Sequence, residues 1–210
     1  MLVDPRGYYV VERVYESVSE FVKPRNVEAV FYSHQDPDVA GSLNIILDFF
    51  PNAKVYISSL WTRFIPHLGV TAGLRVEGIP DEGAAIELGA ASLQVVPAHF
   101  LHSPGNHTLY DPVVGVLFSG DIGAAVFPEG EWYLFVEDLE HLEKHKAYME
   151  AFHKRYLAHK KALEAWLSRV ERLEPKVIAP QHGAIFTGDA VGGFLKWLHT
   201  LEKVGVDLLY

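Results

Sequence analysis

The chain of 210 residues contains no cysteine. Without a thiolate it can form no disulfide, no Cys-ligated zinc or iron–sulfur site and no catalytic thiol. Any metal must therefore be held by histidine, aspartate and glutamate side chains. Basic residues are also scarce, with 18 Lys and Arg against 27 Asp and Glu and a formal net charge of −9. This balance argues against nucleic acid or an anionic membrane surface as a partner.

Long apolar segments are absent as well. There is no run of about 18 apolar residues, and no basic flank followed by an apolar stretch opens the chain. We therefore expect a protein without a membrane span, located in the cytoplasm. No repeat, low-complexity tract or linker divides the sequence, and 49% of its residues are hydrophobic. These features predict one domain over residues 1–210.

The periodicity of apolar residues predicts an α/β chain. The first third has the order helix, strand, loop, helix, strand, which favours parallel pairing. The middle alternates short β-prone runs with turn residues, a pattern typical of an antiparallel meander, and a long helical stretch follows. The predicted helices cover residues 8–22, 40–50, 137–173 and 190–204, and the predicted strands lie at or near 29–32, 54–57, 74–76, 85–87, 93–96, 108–110, 114–118 and 176–179.

Four segments place metal-ligating residue types just after a β-prone run. Loops after strand ends face the ligand crevice in layered α/β folds, so we expect these segments to converge. Five or six such groups would be costly to bury together without a cation. The four blocks are residues 33–38, 97–104, 118–121 and 178–183.

The first block offers one imidazole and two carboxylates at alternate positions, His34, Asp36 and Asp38. Taken without the other blocks, it is equally compatible with a polar turn that caps the helix after Pro37. As a metal site it could surround a pair of ions. Nitrogen and oxygen ligands suit iron or manganese well and zinc acceptably, and the additional carboxylate favours iron.

The four blocks resemble those of the metallo-β-lactamase superfamily, and within it the branch of flavodiiron and oxygen-binding di-iron (ODP) proteins. Superfamily hydrolases usually carry the pattern His-x-His-x-Asp-His, whereas this branch replaces the second histidine with a carboxylate, as Asp36 does here. The later ligands then follow in family order as His102, Asp121 and His182. The resemblance covers nearly the whole chain.

The resemblance implies a four-layer αβ/βα sandwich with two metal ions, preferably iron. Family members usually have a further N-terminal strand pair before the position of Leu2, so this domain is either trimmed naturally or its start is assigned late. The ligands of the first ion would be His34, Asp36 and His102, those of the second would be Asp38 and His182, and Asp121 would bridge the two.

The chain departs from the family pattern at Val39, where the family has a histidine. The second ion is then short of a ligand, completed by water, or left with an open position for a small molecule. His99, His107 or His153 could compensate, although for His99 a core or supporting role is the better interpretation. His153 or Tyr156, on the long predicted helix, could cover the site.

The function implied by the resemblance is a di-iron protein that binds or reduces dioxygen, or nitric oxide instead. We expect no flavin site, because no flavodoxin-like domain follows Tyr210. The chain would then be a sensor, or an oxidoreductase that receives electrons from a separate donor protein, and a homo-oligomer is compatible with either.

The alternative function is a dinuclear zinc hydrolase that attacks an ester, thioester or phosphodiester, with Asp38 as the catalytic residue that orients a metal-bound hydroxide. A third interpretation, prompted by Val39, is a scaffold without activity. The carboxylate of Asp36 favours the iron interpretation.

Overall fold

The first sheet consists of four parallel strands. The computed structural model describes residues 1–70 and 75–210. In this sheet the strands lie in the order β1-β2-β3-β4, and their bounds are β1 Leu2–Val3, β2 Ala29–Phe31, β3 Lys54–Ser58 and β4 Val76–Ile79. All three pairings are parallel, which confirms the pairing predicted for the first third of the chain.

The second sheet has seven strands in the order β5-β6-β7-β8-β10-β11-β9. An antiparallel meander of β5 to β8 is joined by β10, which runs parallel to β8. The bounds are β5 Ala84–Leu88, β6 Ala91–Pro97, β7 His107–Asp111, β8 Val116–Gly120, β9 Phe135–Val136, β10 Val177–Pro180 and β11 Ile185–Phe186.

The predicted extent of the meander was wrong at its first strand. The run near residues 74–76 was assigned to the meander, but β4 pairs in parallel with β3 of the first sheet. Leu74, where that run begins, lies outside the described residues. A short β-prone run carries no information about its partner, and the pairing is decided by which sheet buries its apolar side.

Helices cover the outer face of each sheet, and the apolar layer between the sheets completes the sandwich. Val11 and Leu43 pack with β2 and β3 in one cluster, whereas Met149, Trp166 and Phe194 pack against the second sheet. The helices are α1 Val11–Phe21, α2 Pro37–Ala40, α3 Leu43–Phe49, α4 Leu139–Tyr156, α5 Lys160–Val170 and α6 Asp189–Thr200, and the 3₁₀ segments are Tyr8–Val10, Pro24–Asn26, Ser59–Leu68, Glu171–Leu173 and Gly205–Leu208.

Between the two sheets lies a third apolar cluster that includes Phe31, Ile86 and Leu109. Its members come from both sheets, so the order of layers is helices, sheet, sheet, helices. The predicted four-layer αβ/βα sandwich is confirmed. Among the described residues, no helix combines the length and the apolar character needed to span a bilayer.

The single helix predicted over residues 137–173 is two helices. The chain leaves α4 at Leu157, whose backbone is extended and forms an antiparallel bridge with Leu101. Next, the Ala158 amide donates to the Phe100 carbonyl at 2.9 Å, and α5 begins after His159, whose Nδ1 accepts from the Lys161 amide at 3.0 Å. Apolar periodicity continues across this break, so only the pairing with the segment before His102 reveals it.

Candidate metal centre

The four predicted blocks converge at one end of the sandwich. His34 follows β2, His102 lies between β6 and β7, Asp121 follows β8 and His182 follows β10. Asp121 lies at the middle of this group. Its Oδ2 is 3.8 Å from the Nε2 atoms of both His34 and His102, and its Oδ1 is 3.8 Å from His182 Nε2. The two oxygens of one carboxylate therefore face two different sets of ligands.

The innermost part of the centre consists of His34, His102 and Asp121, whose ligand atoms all lie within 4.8 Å of one another. His34 Nε2 and Asp121 Oδ1 are buried and have no hydrogen-bond partner among the described residues. Separations of 3.8 Å are too long for hydrogen bonds. They suit two ligands that each contact a common ion at about 2.1 Å. The residues present therefore fit a metal ion.

Asp36, whose side chain is 30% exposed, completes this inner part of the centre. Its Oδ2 lies 2.7 Å from His102 Nε2 and 3.9 Å from His34 Nε2. The hydrogen bond with His102 lowers the pKa of the Asp36 carboxyl. Burial lowers the pKa of the His34 imidazole, which favours its neutral form, the form that ligates metals. For His102, burial acts in the same direction, but Asp36 and Asp121 outweigh it and the pKa is raised.

The outer part of the centre consists of Asp38 and His182. Asp38 Oδ2 lies 3.0 Å from His182 Nε2, and the two side chains are 60% and 32% exposed. Asp38 is in the first turn of the short helix α2, which begins at Pro37. All six side chains predicted as ligands are thus brought together, in an inner set around the buried His34 and Asp121 and a more exposed outer set.

Val39, the departure from the family pattern, is fully buried in the apolar cluster of the first sheet. None of the three histidines considered as a substitute faces the centre. His99 Nε2 lies 2.7 Å from the Asp81 carbonyl and its ring packs on His107. Burial lowers the pKa of His107 to about 4, and its Nε2 lies 3.2 Å from the Pro80 carbonyl.

His153 supports the centre through a hydrogen bond to the turn that carries Asp121. Its Nε2 accepts from the Gly123 amide at 2.9 Å, and its Nδ1 donates to the Met149 carbonyl at 2.8 Å. Gly123 belongs to the turn that carries Asp121, whose carbonyl accepts from the Ala124 amide at 3.0 Å. Burial lowers the pKa of His153 to about 4, so the ring stays neutral and able to accept.

Ser33 supports the centre from the side of the first sheet. Its hydroxyl lies 2.8 Å from His34 Nδ1, and its amide donates to Asp4 Oδ1 at 2.7 Å. Gly120 has a φ of +57° and approaches so closely that a Cβ atom would lie 2.8 Å from the Ser33 hydroxyl. Only glycine fits at position 120, directly before Asp121, because any side chain there would collide with Ser33.

Two aromatic rings of α4 lie against His102. The Phe152 ring stacks at 6.0 Å from the imidazole, and the Tyr156 ring lies at 5.2 Å. Of the two candidates for a cover, Tyr156 therefore contacts the centre and His153 does not cover it. The loop that presents His102 is strained, with φ of +109° at His102 and +64° at Phe100, a cost that recurs at functional sites.

Sequence analysis did not identify Arg6, which lies at the exposed edge of the centre. Its Nη2 donates to the Gln181 carbonyl at 2.8 Å, and its Nη1 lies 3.1 Å from His182 Nδ1. The contact joins residues 176 positions apart. A single arginine in a turn has no sequence pattern that would have pointed to it.

Comparisons with known proteins identify relatives of this chain. The family model described as ODP family beta lactamase matches residues 1–183. The apo state of the chemotaxis sensor ODP from T. denticola is 44% identical, with a TM-score of 0.88 over 99% of this chain and 83% of that chain. A structure described as a peroxy diiron species of chemotaxis sensor ODP is also 44% identical, with a TM-score of 0.87 over 99% of this chain and 84% of that one.

More distant relatives are longer proteins. A flavo di-iron protein variant from Thermotoga maritima is 21% identical, with a TM-score of 0.81 over 95% of this chain and 48% of that chain, and shares the fold. A putative diflavin flavoprotein from Nostoc sp. is 25% identical over 94% of this chain but only 34% of its own length. An uncharacterised protein from Methanocaldococcus jannaschii is 22% identical over 100% of this chain and 53% of its own length. The chain thus spans about a third to a half of these curated relatives.

Proposed function

Because the chain belongs to the ODP family of β-lactamase-like proteins, we propose that it holds two iron ions and binds dioxygen at them. The observation that carries the proposal is the position of Asp121. Its two oxygens each lie 3.8 Å from imidazole nitrogens of separate ligand sets. A carboxylate with this environment is suited to bridge two cations.

Six side chains would hold the ions. Three imidazoles and three carboxylates form an oxygen-rich set without sulfur, which suits iron better than the softer metals. When bound, two ferrous ions would supply electrons and coordination positions for a diatomic gas. In the proposed assignment His34, Asp36 and His102 hold the first ion, Asp38 and His182 hold the second, and Asp121 holds both.

The protein's own residues would order the site before the gas arrives. Ser33 orients the His34 ring through Nδ1, and His153 holds the turn that carries Asp121. Outer partners of this kind fix the ligand orientation and tune the metal. The rings of Phe152 and Tyr156 cover one side of His102.

We propose gas sensing as the role, since the 44% identical relative of known structure is a chemotaxis sensor. Nitric oxide is the second gas that such a site would accept. If the chain instead reduces its gas, the electrons would come from a separate donor protein. The relatives that carry a flavoprotein description are longer than this chain.

The zinc hydrolase alternative is not favoured. Asp36 occupies the position where the hydrolases of this superfamily carry a histidine. The similar structures are di-iron proteins.

The proposal is tested by loading metal-free protein with ferrous iron under nitrogen and then admitting air. We expect two irons per chain and a visible absorption band that appears only with oxygen. Asp121→Asn should lose both, whereas Asp48→Asn, the same change on an exposed side chain of α3, should lose neither. A preference for two zinc ions together with esterase or phosphodiesterase turnover would contradict the proposal.

A further inference from the structure

A permanent positive charge lies against the outer part of the metal centre, the exposed half formed by Asp38 and His182. The Arg6 guanidinium contacts both His182 Nδ1, at 3.1 Å, and the Gln181 carbonyl, at 2.8 Å. Arginine stays ionised at any pH that proteins tolerate. We propose that Arg6 weakens the second metal position, so that the chain takes up its ions in sequence and holds the one at Asp38 and His182 exchangeably. This inference rests on the proposed function of a two-ion centre.

The backbone holds Arg6 in place. Asp4 and Arg6 both have positive φ, of +45° and +77°, and non-glycine residues adopt such values at a cost that the surroundings must offset. The Arg6 amide donates to the Asp4 carbonyl at 2.8 Å. The Ser42 hydroxyl donates to the Arg6 carbonyl at 2.6 Å. The turn is thus anchored, and its guanidinium is presented to His182 rather than to solvent alone.

Gly7, the next residue, fixes the turn against the first ligand loop. A Cβ atom at Gly7 would lie 2.5 Å from the Pro37 carbonyl oxygen and 2.9 Å from Asp38 Cα. The turn therefore touches the segment of Asp38 with its glycine and the segment of His182 with its arginine. Both ligands of the exposed half are contacted by these two consecutive residues.

No carboxylate oxygen among residues 1–70 and 75–210 lies within 4.0 Å of the Arg6 guanidinium. Its charge therefore acts on the centre without a direct counter-ion. Burial raises the pKa of the nearby Asp4 carboxyl to about 7, so Asp4 contributes only part of a charge near neutral pH. The remaining carboxylates of the centre belong to the proposed ligands.

The charge balance favours one ion over two. One divalent ion leaves a single uncompensated negative charge on the carboxylates of Asp36, Asp38 and Asp121, and Arg6 offsets it. A second divalent ion makes the centre positive, and Arg6 adds to that excess. Like charges repel, and the repulsion is stronger in a partly buried site than in bulk water. Arg6 thus takes the electrostatic place of the second ion when only one is bound.

The hydrogen bonds of His182 also disfavour a second ion. A guanidinium only donates, so His182 accepts at Nδ1 and directs Nε2 toward Asp38 Oδ2 at 3.0 Å. A cation in the exposed half would need these same two atoms. In the buried half the corresponding partner of His34 Nδ1 is the neutral Ser33 hydroxyl, which opposes no cation.

The experiment compares stepwise metal uptake by the full chain and its Arg6 variants. Metal-free protein is titrated with zinc, and separately with ferrous iron under nitrogen, in the presence of a competing chelator. Arg6→Gln removes the charge and keeps an amide that can donate to the Gln181 carbonyl, whereas Arg6→Lys keeps the charge. Arg169→Gln is the matched control, because exposed Arg169 also donates to a main-chain carbonyl, that of Ala165.

We expect Arg6→Gln to tighten the second step about tenfold or more and to change the first step by less, because Arg6 contacts none of the ligands proposed for the first ion. Arg6→Lys and Arg169→Gln should keep the wild-type second step. A second step that is unchanged or weaker in Arg6→Gln overturns the inference. Should Arg6→Gln fail to fold, as judged by circular dichroism, Arg6→Ala takes its place with the same expected result.

The outcome also separates this inference from the proposed function. A wild-type chain that binds two ions of either metal, together with an unchanged Arg6→Gln, overturns the inference alone. A wild-type chain that stops at one ion contradicts the two-ion proposal. In that case, uptake of a second ion by Arg6→Gln supports the role of Arg6, and its failure to take one up overturns that role too.

Discussion

The buried and the exposed halves of the metal centre use the same residue types in opposite environments. The side chains of His34, His102 and Asp121 are 1%, 11% and 7% exposed, that of Asp36 at the edge of this half is 30% exposed, and those of Asp38 and His182 are 60% and 32% exposed. In the buried half, polar atoms without a partner are costly unless a cation compensates them. In the exposed half, water and the direct contact between Asp38 and His182 satisfy the same groups. The need for a metal therefore differs between two sets of ligands only a few ångströms apart.

The surroundings of the two halves differ in the same sense. Ser33 and His153 hold the buried half with neutral hydrogen-bonding groups. Arg6 brings a positive charge to the exposed half. We propose that the centre therefore has one firm and one adjustable metal position.

The largest effect is expected from removing one imidazole from each half. His102→Ala should lower the affinity for the first ion by more than about 100-fold, which exceeds the loss typical of an outer partner. The affinity for the second ion should also decrease, because both ions share Asp121. His182→Ala should empty only the exposed half and leave one ion per chain. Metal content after dialysis measures both, with exposed His199→Ala as the control. Loss of both ions from His182→Ala would contradict the division into halves.

An effect of intermediate size is expected from acid, through the support of the buried half. The pKa of His153 is lowered by burial to about 4, against an ordinary value of 6.5. Because the pKa of His153 is lower in the folded than in the unfolded protein, the unfolded state binds a proton first as the pH falls. The contribution of neutral His153 to the free energy of unfolding is therefore complete above pH 6.5 and is lost as the pH falls toward 4. Metal-free wild type should therefore lose up to about 3 kcal/mol more unfolding free energy than His153→Gln between pH 7 and 4.

Urea unfolding at intervals of pH measures this difference. His199→Gln, which changes an exposed imidazole, should follow the wild-type profile. Parallel profiles for wild type and His153→Gln would show that His153 titrates freely, and that the turn of Asp121 does not depend on it.

The smallest effect is expected from Ser33→Ala, which removes the hydroxyl at His34 Nδ1. Loss of such an outer partner typically costs about 10- to 100-fold in metal affinity. The first step of a metal titration should weaken by this amount and the second should not change. Ser168→Ala, which removes an exposed hydroxyl bonded to the Ala165 carbonyl, is the control. Equal weakening of both steps would mean that Ser33 acts on the whole centre.

Much of the architecture was predictable because local signals agree with the final packing. The strands around residues 29–32 and 54–57 and the meander from β5 to β8 carry runs of β-prone residues bounded by turns. The single helix over 137–173 was wrong, since the break at Leu157 depends on a pairing with Leu101. The run that forms β4 was assigned to the wrong sheet for a similar reason, since the sequence of a short strand does not indicate which strand it pairs with.

The four converging blocks were readable from the chain, because each follows a β-prone run and carries residue types that bind metals, and the resemblance to the family then supplied the six proposed ligands within them. Their separation into a buried and an exposed half was not readable, since burial depends on how the two sheets and α4 close around Asp121. The roles of His153 and Arg6 arose in the same way, from contacts across 30 and 176 positions. Contacts between residues so far apart in sequence cannot be predicted from the sequence of either segment. The charge and the hydrogen bonds that tune the centre arise only when the fold brings the loops together.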